Sequence, residues 1–148
     1  MFNSLLVATD GSEPSQRAID HAVNLASRLE VPLHAIAVLE SRTEYDSAIV
    51  DPEVVRAQQE RQAQVALETV ETAASEQGIS VVTVRREGIP HEEILTYAEE
   101  RDIETLVVGA RGRSAFRGAL LGSTVDALVR QSPRPVVVVG DESVRSES

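Results

Sequence analysis

The sequence predicts a single α/β domain built on a five-stranded, parallel, doubly wound sheet with helices on both faces. Five short apolar runs alternate with segments whose apolar residues recur at helical spacing. Strands that alternate with helices pair in parallel through right-handed crossovers, and strands covered on both faces are apolar throughout. With 148 residues, of which 42% are hydrophobic, the chain has the size and composition of one globular domain. We expect that domain to span residues 1–140 and the polar residues 141–148 to form a tail.

The first strand and the first helix follow each other at the start of the chain. The run LLVA at residues 5–8 precedes the turn formers TDGS at residues 9–12, as at the end of a buried strand. A helix then begins near Ser12 or Ser15 and ends before Pro32. Its apolar stripe comprises Ala18, Ala22, Val23, Ala26 and Leu29.

The second strand and the second helix are separated by a long connection. Residues 33–39 form an apolar run, and the polar residues 40–51 exceed the length of a usual connection. We expect this connection to be mobile or functional. The longest helix then begins at Pro52 and ends near Gly78, a residue suited to a left-handed C-cap. One face of that helix carries Val55, Ala63, Ala66, Leu67, Val70 and Ala74.

The remaining elements follow one another closely. The apolar pattern predicts a strand at 81–84, a turn at 88–90, a helix marked by Ile94, Leu95 and Ala98, a strand at 106–108, a short helix marked by Val125, Leu128 and Val129, and a strand at 136–139. No internal repeat or linker interrupts this order, so all five strands are expected in one sheet.

Charge and composition exclude several classes of partner and chemistry. The net charge of −10 gives a surface that repels the phosphate backbone of nucleic acids, so we expect no nucleic-acid partner. All 14 basic residues are Arg, a bias that suits a protein dissolved in a high-salt cytoplasm. The absence of Cys excludes disulfides, thiolate zinc sites and thiol catalysis. With neither a basic leader nor an apolar run of about 20 residues, we expect a cytoplasmic protein that does not enter the membrane.

The most informative segment lies between the fourth strand and the last helix, at residues 109–124, with the sequence GARGRSAFRGALLGST. Glycines let a backbone approach an anion, and a helix N-terminus adds amides and the positive end of the helix dipole. Three arginines concentrate positive charge here in an otherwise acidic chain: Arg111, Arg113 and Arg117. Ligands of doubly wound sheets bind at the carboxyl ends of the strands, where the crossover direction reverses. We therefore expect this segment to hold a phosphate group.

A purely structural interpretation of the same segment is also open. Gly109 and Gly112 are then ordinary loop glycines, and Ser123 with Asp126 forms a capping box for the last helix. Two familiar phosphate loops are excluded, because a Walker A loop needs a Lys and the G-x-x-G spacing is not the dinucleotide fingerprint G-x-G-x-x-G.

The spacing Gly109-x2-Gly112-x9-Gly122-Ser123 resembles the G-2x-G-9x-G-(S/T) signature of ATP-binding members of the universal stress protein family. Three further segments resemble the family: LVATDGS at 6–12, GIPHEEI at 88–94 and PRPVVVV at 133–139. The resemblance covers residues 5–140. It implies an adenine nucleotide alpha hydrolase-like form of the predicted fold, with strand order 3-2-1-4-5, in which Asp10 lies beside the loop that begins at Gly109.

The resemblance also implies which positions contact a nucleotide. Ala8, Thr9 and Asp10 line the base and ribose side, Val38 offers main-chain groups to adenine, and Gly109, Gly112, Gly122, Ser123 and Thr124 hold ribose and phosphates. The implied ligand is ATP or another adenine nucleotide, with Mg or Mn expected to bridge its phosphates. Arg111 and Arg113 join this set. Arg111 stands where many members carry His or another polar residue, so it pairs either with phosphate or with Asp10.

Each of these side chains also has a structural interpretation. Asp10 is suited to an Asx-type turn or a helix cap, and Thr9 to the turn alone. Arg113 and Arg117 are equally well explained as solvated loop charges.

Other polar residues give no site. His21, His34 and His91 have no metal-ligand spacing, so we interpret them as structural or surface residues. Glu92 and Glu93 complement the dipole of the helix that they begin. No Ser, His and Asp grouping supplies a nucleophile.

Three functions follow from these observations. The first is a regulatory or stress-response switch that binds an adenine nucleotide and hydrolyses it slowly at most, because no base is evident to position a water. The second is a homodimeric interaction module that does not use the nucleotide. Its contact surface would be the apolar run of the last strand, at a sheet edge: Val136, Val137, Val138 and Val139. The third, ranked lowest, is a nucleotide hydrolase or nucleotidyl-transfer enzyme.

Overall fold

The computed structural model describes residues 4–40, 51–111 and 121–140. Within these ranges strands and helices alternate in the predicted order. Their bounds are β1 Leu5–Ala8, α1 Glu13–Leu29, β2 Leu33–Glu40, α2 Pro52–Glu76, β3 Val81–Gly88, α3 Pro90–Glu100, β4 Thr105–Gly109, α4 Ser123–Gln131 and β5 Val136–Val139.

The five strands form one parallel sheet in the order β3-β2-β1-β4-β5, which confirms the predicted class and topology. Leu5 of β1 lies opposite Leu33 of β2 on one side and Thr105 of β4 on the other. The strand order therefore reverses between β1 and β4, and their carboxyl ends meet at the edge of the sheet where a ligand site is expected. β3 and β5 are the two edge strands.

Alternate residues of the central strands supply two separate cores. Leu5 and Val7 face the layer of α1 and α2, where they pack with small residues such as Ala22 and Ala26. Leu6 faces the opposite layer, which includes Leu128 of α4. Each of these side chains is at most 1% exposed. Burial on both faces explains why the strands have no polar alternation.

Local signals fix the ends of the first two helices as predicted. Ser12 is the N-cap of α1, and its side chain accepts a hydrogen bond from the Ser15 amide. Beyond α2, Gly78 has φ +75°, the left-handed conformation expected at a helix C-terminus.

The prediction for β3 was too short. The strand continues four residues beyond Val84, and Gly88 lies opposite Glu40 of β2 instead of starting a turn. Three of the four added residues are charged, and the fourth is Gly88, so an apolar pattern did not include them. Arg86 bonds Glu100 of α3 and Glu87 bonds Arg56 of α2, each at 2.6 Å, so two of the charges of this edge strand lie in ion pairs.

Two residues predicted for apolar helix faces lie outside the core. Leu29, the last residue of α1, is 40% exposed, and Val129, next to the buried Leu128 of α4, is 48% exposed. Of the connection predicted at 40–51, Glu40 belongs to β2 and Asp51 is the N-cap of α2, and residues 41–50 lie outside the described residues, as does the predicted tail at 141–148. Of the helices described in the three ranges above, none is long and apolar enough to span a membrane.

Candidate functional site

The candidate site begins where β1 and β4 end side by side. Ala8 is half-buried, Thr9 is buried and Asp10 is exposed, while Gly109 is buried at the end of β4. The Thr9 amide donates to the Ile36 carbonyl of β2 at 3.0 Å, which keeps the chain against the sheet beyond the last β1 residue. Three of the predicted positions therefore leave the sheet at the switch point between β1 and β4.

Val38 belongs to the same half of the sheet. It is half-buried in β2, and both it and Ala8 pack against the core cluster that lies under α3 and α4. This places the two predicted base-side residues on one face of the sheet.

The turn from β1 to α1 uses its polar groups internally. The Asp10 carboxylate accepts from the Ser12 amide at 2.9 Å, which is the Asx-type turn named above as the structural alternative. Thr9 Oγ1 accepts from the Gly11 amide at 3.4 Å and lies 3.0 Å from Ser15 Oγ. Both Thr9 and Asp10 thus serve the turn.

Backbone hydrogen bonds close the segment between β4 and α4. The Ala110 amide donates to the Val139 carbonyl of β5 at 2.9 Å, and the Ala110 carbonyl accepts from the Gly122 amide at the same distance. The start of α4 is therefore held directly beside the end of β4. Arg111 is half-buried at the beginning of the segment. Gly112, Arg113 and Arg117 lie outside the described residues.

The capping box predicted as an alternative for α4 is wrong. Gly122 is the N-cap, with φ −70° and ψ 164°, and no side chain caps the helix. Ser123 is instead the first helical residue and is exposed. The Asp126 carboxylate does not reach back, because it accepts from Arg130 Nε at 2.9 Å.

The first turn of α4 consequently presents backbone donors. In a helix the amides of the first three residues, here Ser123, Thr124 and Val125, have no acceptor inside the helix. The first intrahelical bond is donated by the Asp126 amide to the Gly122 carbonyl at 2.8 Å. Since Gly122 has no side-chain oxygen, an anion is well suited to satisfy these amides and the positive end of the dipole.

Two residues that contribute to this arrangement, Ala110 and Ser15, were not predicted from the sequence. Ala110 joins the edge strand to the start of α4 through its two backbone groups, a role that leaves no trace in side-chain chemistry. Ser15 was considered only as a helix start, although its buried hydroxyl contacts Thr9. Its spacing from the TDGS turn was the available signal.

The remaining candidates lie away from the switch point or form no cluster. His34 lies at the amino-terminal end of β2, and its Nδ1 is 2.8 Å from the Tyr97 hydroxyl. Burial, and then the positive charge of Arg101, lower the pKa of His34. We therefore assign His34 a structural role. Within residues 4–40, 51–111 and 121–140, no group of three His, Cys, Asp or Glu side chains is arranged to hold a metal ion.

A doubly wound sheet with a helix N-terminus that no side chain caps at its switch point is an architecture on which α/β proteins commonly bind anionic ligands. Comparison with known proteins identifies the family. The model of the universal stress protein family matches residues 1–140, and this chain belongs to that family.

Related proteins match over nearly their whole length. The chain is 33% identical over 147 residues to the universal stress protein YxiE of Bacillus subtilis, covering 94% of this chain and 99% of that protein. The structure of protein MJ0577 of Methanocaldococcus jannaschii superimposes with a TM-score of 0.81 at 25% identity, over 96% of this chain and 98% of MJ0577. A universal stress protein in complex with cAMP gives a TM-score of 0.72 at 26% identity, over 93% and 97% of the two chains.

Proposed function

We propose that this protein binds an adenine nucleotide at the switch point and acts as a regulatory or stress-response switch. The observation that carries the proposal is the start of α4. It has a glycine N-cap, three amides without acceptors inside the helix, and a backbone bond to the end of β4. The relative in complex with cAMP supports an adenine nucleotide as the ligand.

The polarity of the site supports one orientation of the ligand. The amides at the start of α4, together with Arg111, favour the phosphates. On the other side, Ala8 and Val38 offer apolar surface and Asp10 offers carboxylate oxygens, which suit a base and the hydroxyl groups of a sugar. Gly112 and Arg113 complete the proposed phosphate side on the strength of the sequence signature alone.

A divalent ion would be held mainly by the nucleotide itself. Mg²⁺ prefers oxygen ligands and is commonly bound through one or two carboxylates together with substrate phosphates. Asp10 is the one carboxylate among the proposed site residues, which fits such an arrangement better than an ion site built by the protein. The ion would screen phosphate charge, so we expect Mg²⁺ removal to weaken triphosphate binding more than monophosphate binding.

We expect binding with hydrolysis that is slow at most. Asp10 is the proposed residue with acid-base capacity nearest to the ligand, and its carboxylate is engaged by the Ser12 amide. Efficient hydrolysis needs a group that positions the attacking water. Steady ATP turnover that Asp10→Asn abolishes would instead favour the hydrolase interpretation.

The proposal is tested by asking what the protein binds. Mass spectrometry of small molecules retained on the purified protein comes first, followed by calorimetric titration of Mg-ATP and AMP into the emptied form. We expect adenine nucleotide to bind and Gly109→Val and Gly122→Val to weaken it, with melting curves showing that the variants fold. No binding at millimolar nucleotide, or unchanged binding in both variants, would contradict the site.

A second candidate, compatible with the first, is self-association through β5. This strand is an edge of the sheet, and all four of its valines are half-buried rather than buried. The opposite edge, β3, carries the charged residues Arg85, Arg86 and Glu87, which discourage pairing. We propose a homodimer through β5. Sedimentation at micromolar concentration tests it, and a monomer there would contradict it.

A further inference from the structure

The turn between β1 and α1 contains a buried pair of hydroxyl groups. Thr9 and Ser15 are each 5% exposed, and their oxygens are 3.0 Å apart. Ser15 lies in the first turn of α1, where its amide is already capped by Ser12 Oγ. The Ser15 hydroxyl is therefore additional to what the helix needs at its start.

The partners of Ser15 fix the direction of the hydrogen bonds. Ser15 Oγ donates to the Ser12 carbonyl at 2.9 Å, and a carbonyl can only accept. Because Ser15 has a single hydroxyl proton, its oxygen must accept from Thr9. Thr9 Oγ1 in turn accepts from the Gly11 amide. A directed chain thus runs from Gly11 through Thr9 and Ser15 to Ser12.

These hydrogen bonds hold the residues on both sides of Asp10. Thr9 and Gly11 flank Asp10 in sequence, and the Asp10 carboxylate is bonded to the amide of Ser12. Every residue from Thr9 to Ser12 is accordingly held, directly or through one bond, by the hydroxyl of Ser15. A preorganised turn saves a ligand the cost of ordering it.

We infer that Ser15 is a positioning residue of the nucleotide site, acting through Thr9 and Ser12 to hold the Asp10 turn in its ligand-binding shape. The inference rests on the proposed function. Ser15 itself is not expected to touch the ligand, because it is buried beneath the turn. Its effect on affinity must therefore pass through the two residues that its hydroxyl bonds, Thr9 and Ser12.

A double-mutant cycle in AMP affinity tests this inference. The variants are Ser15→Ala, Thr9→Val and the double variant, each titrated calorimetrically with AMP and melted in parallel. Ser4→Ala is the matched control. Ser4 is also a buried serine, 8% exposed, and its hydroxyl bonds the Glu104 amide at 3.2 Å at the opposite end of the sheet. If Ser15→Ala does not fold, Ser15→Cys is used instead, because its thiol fills the space of the hydroxyl, being slightly larger, and hydrogen-bonds only weakly.

We expect Ser15→Ala to lower AMP affinity about 3- to 10-fold. Thr9→Val should lower it similarly, and Thr9→Ser, which keeps the hydroxyl, should restore it. The variant that carries both Ser15→Ala and Thr9→Val should bind AMP about as well as the single variant that has the lower AMP affinity. Ser4→Ala should melt earlier than the wild type and bind AMP normally.

Two results would overturn the inference: wild-type affinity in Ser15→Ala, or losses that add in the double variant. Equal losses in Ser4→Ala and Ser15→Ala would also overturn it, because the effect would then follow stability alone. A wild-type protein that binds no AMP or ATP would instead refute the proposed function, so the two failures are distinguishable.

Discussion

The starts of α2 and α4 differ in whether the backbone amides of the first turn have hydrogen-bond acceptors. At α2, Asp51 accepts from the Glu53 amide through its side chain at 2.9 Å and from the Val54 and Val55 amides through its carbonyl at 3.1 Å. The first residue, Pro52, has no amide proton to satisfy. At α4 the N-cap is Gly122, no proline is present, and three amides lack an acceptor in the helix. The amides at the start of α2 have acceptors within the chain or, at Pro52, no proton, whereas the first three amides of α4 have no acceptor in their own helix.

The start of α1 resembles that of α2, although it lies at the switch point. Ser12 caps the Ser15 amide, and the Asp10 carboxylate accepts from the Ser12 amide. In many doubly wound proteins the turn after the first strand holds the phosphates. Here that turn is closed by its own side chains. Proximity to the switch point is therefore not enough to identify a phosphate site. The feature that distinguishes the expected phosphate side is a helix start that no side chain of the protein caps.

The largest loss of AMP affinity is expected when α4 is given the side-chain cap that α2 has. Gly122→Asp places a carboxylate at an N-cap whose extended backbone accepts any residue. The carboxylate would occupy the open amides and repel phosphate, so AMP affinity should fall about 100-fold while the melting temperature stays equal or rises. Calorimetry and thermal melting measure the two effects.

Gly122→Asn is the control for that prediction, because it caps without charge. It should weaken AMP binding less than Gly122→Asp does. An Asp variant that folds and binds AMP like the wild type would refute the phosphate side at α4.

Removing one donor should have a smaller effect. Ser123→Pro deletes the first amide of α4 at the helical position where proline is favoured, and the extended Gly122 before it is compatible with proline. We expect about a 10-fold loss of AMP affinity without loss of stability. The reciprocal change Pro52→Ala, at the closed start of α2, should leave affinity unaltered. Equal affinities for wild type and Ser123→Pro would count against a ligand contact at this amide.

Removing the side-chain cap of α2 should lower stability without changing AMP affinity. Asp51→Ala removes the cap of α2 and should lower the free energy of unfolding by about 1 kcal/mol, measured by denaturant titration. AMP affinity should not change, since α2 lies outside the proposed site. A matching loss of affinity would mean that the two helix starts are not functionally distinct.

An unpartnered polar group away from the switch point should only cost stability. Among the described residues, Thr105 Oγ1 is a buried side-chain oxygen with no hydrogen-bond partner, and it lies at the amino-terminal end of β4. Thr105→Val should therefore raise the free energy of unfolding by roughly 0.5 to 1 kcal/mol. Thr83→Val, whose hydroxyl contacts Glu71, should give no such gain. A destabilised Thr105→Val would show that the hydroxyl has an unrecognised partner.

Much of the fold could be predicted from the sequence because strands that are buried on both faces consist of consecutive apolar residues. The bounds of β1 and β5 are confirmed, and of the two predicted starts of α1, Ser12 and Ser15, the structure has Ser12 as the N-cap. The second half of β3 could not be found this way, since Arg85 and Glu87 lie at an exposed edge and are kept in the strand by pairing with β2. Strand pairing is a long-range property that local composition does not encode.

The site stays a prediction, which rests on the glycine spacing and on the position of residues 109–124 after β4. The mistaken capping box illustrates the limit, because Ser123 and Asp126 have the right spacing but begin one residue too late. Only the backbone shows that Gly122 is the N-cap and that Asp126 bonds Arg130 instead. The role of Ala110 was equally invisible, since it depends on main-chain bonds.

The central claim is that the open start of α4 receives the phosphate of an adenine nucleotide. The most direct measurement is a titration of ¹⁵N-labelled protein with AMP, followed by the backbone amide signals in NMR spectra. The account predicts large shifts for Ser123, Thr124 and Val125, and none for Glu53 and Val54 at the start of α2. Binding that leaves the α4 amides unmoved, or no shift anywhere at millimolar AMP, would contradict it.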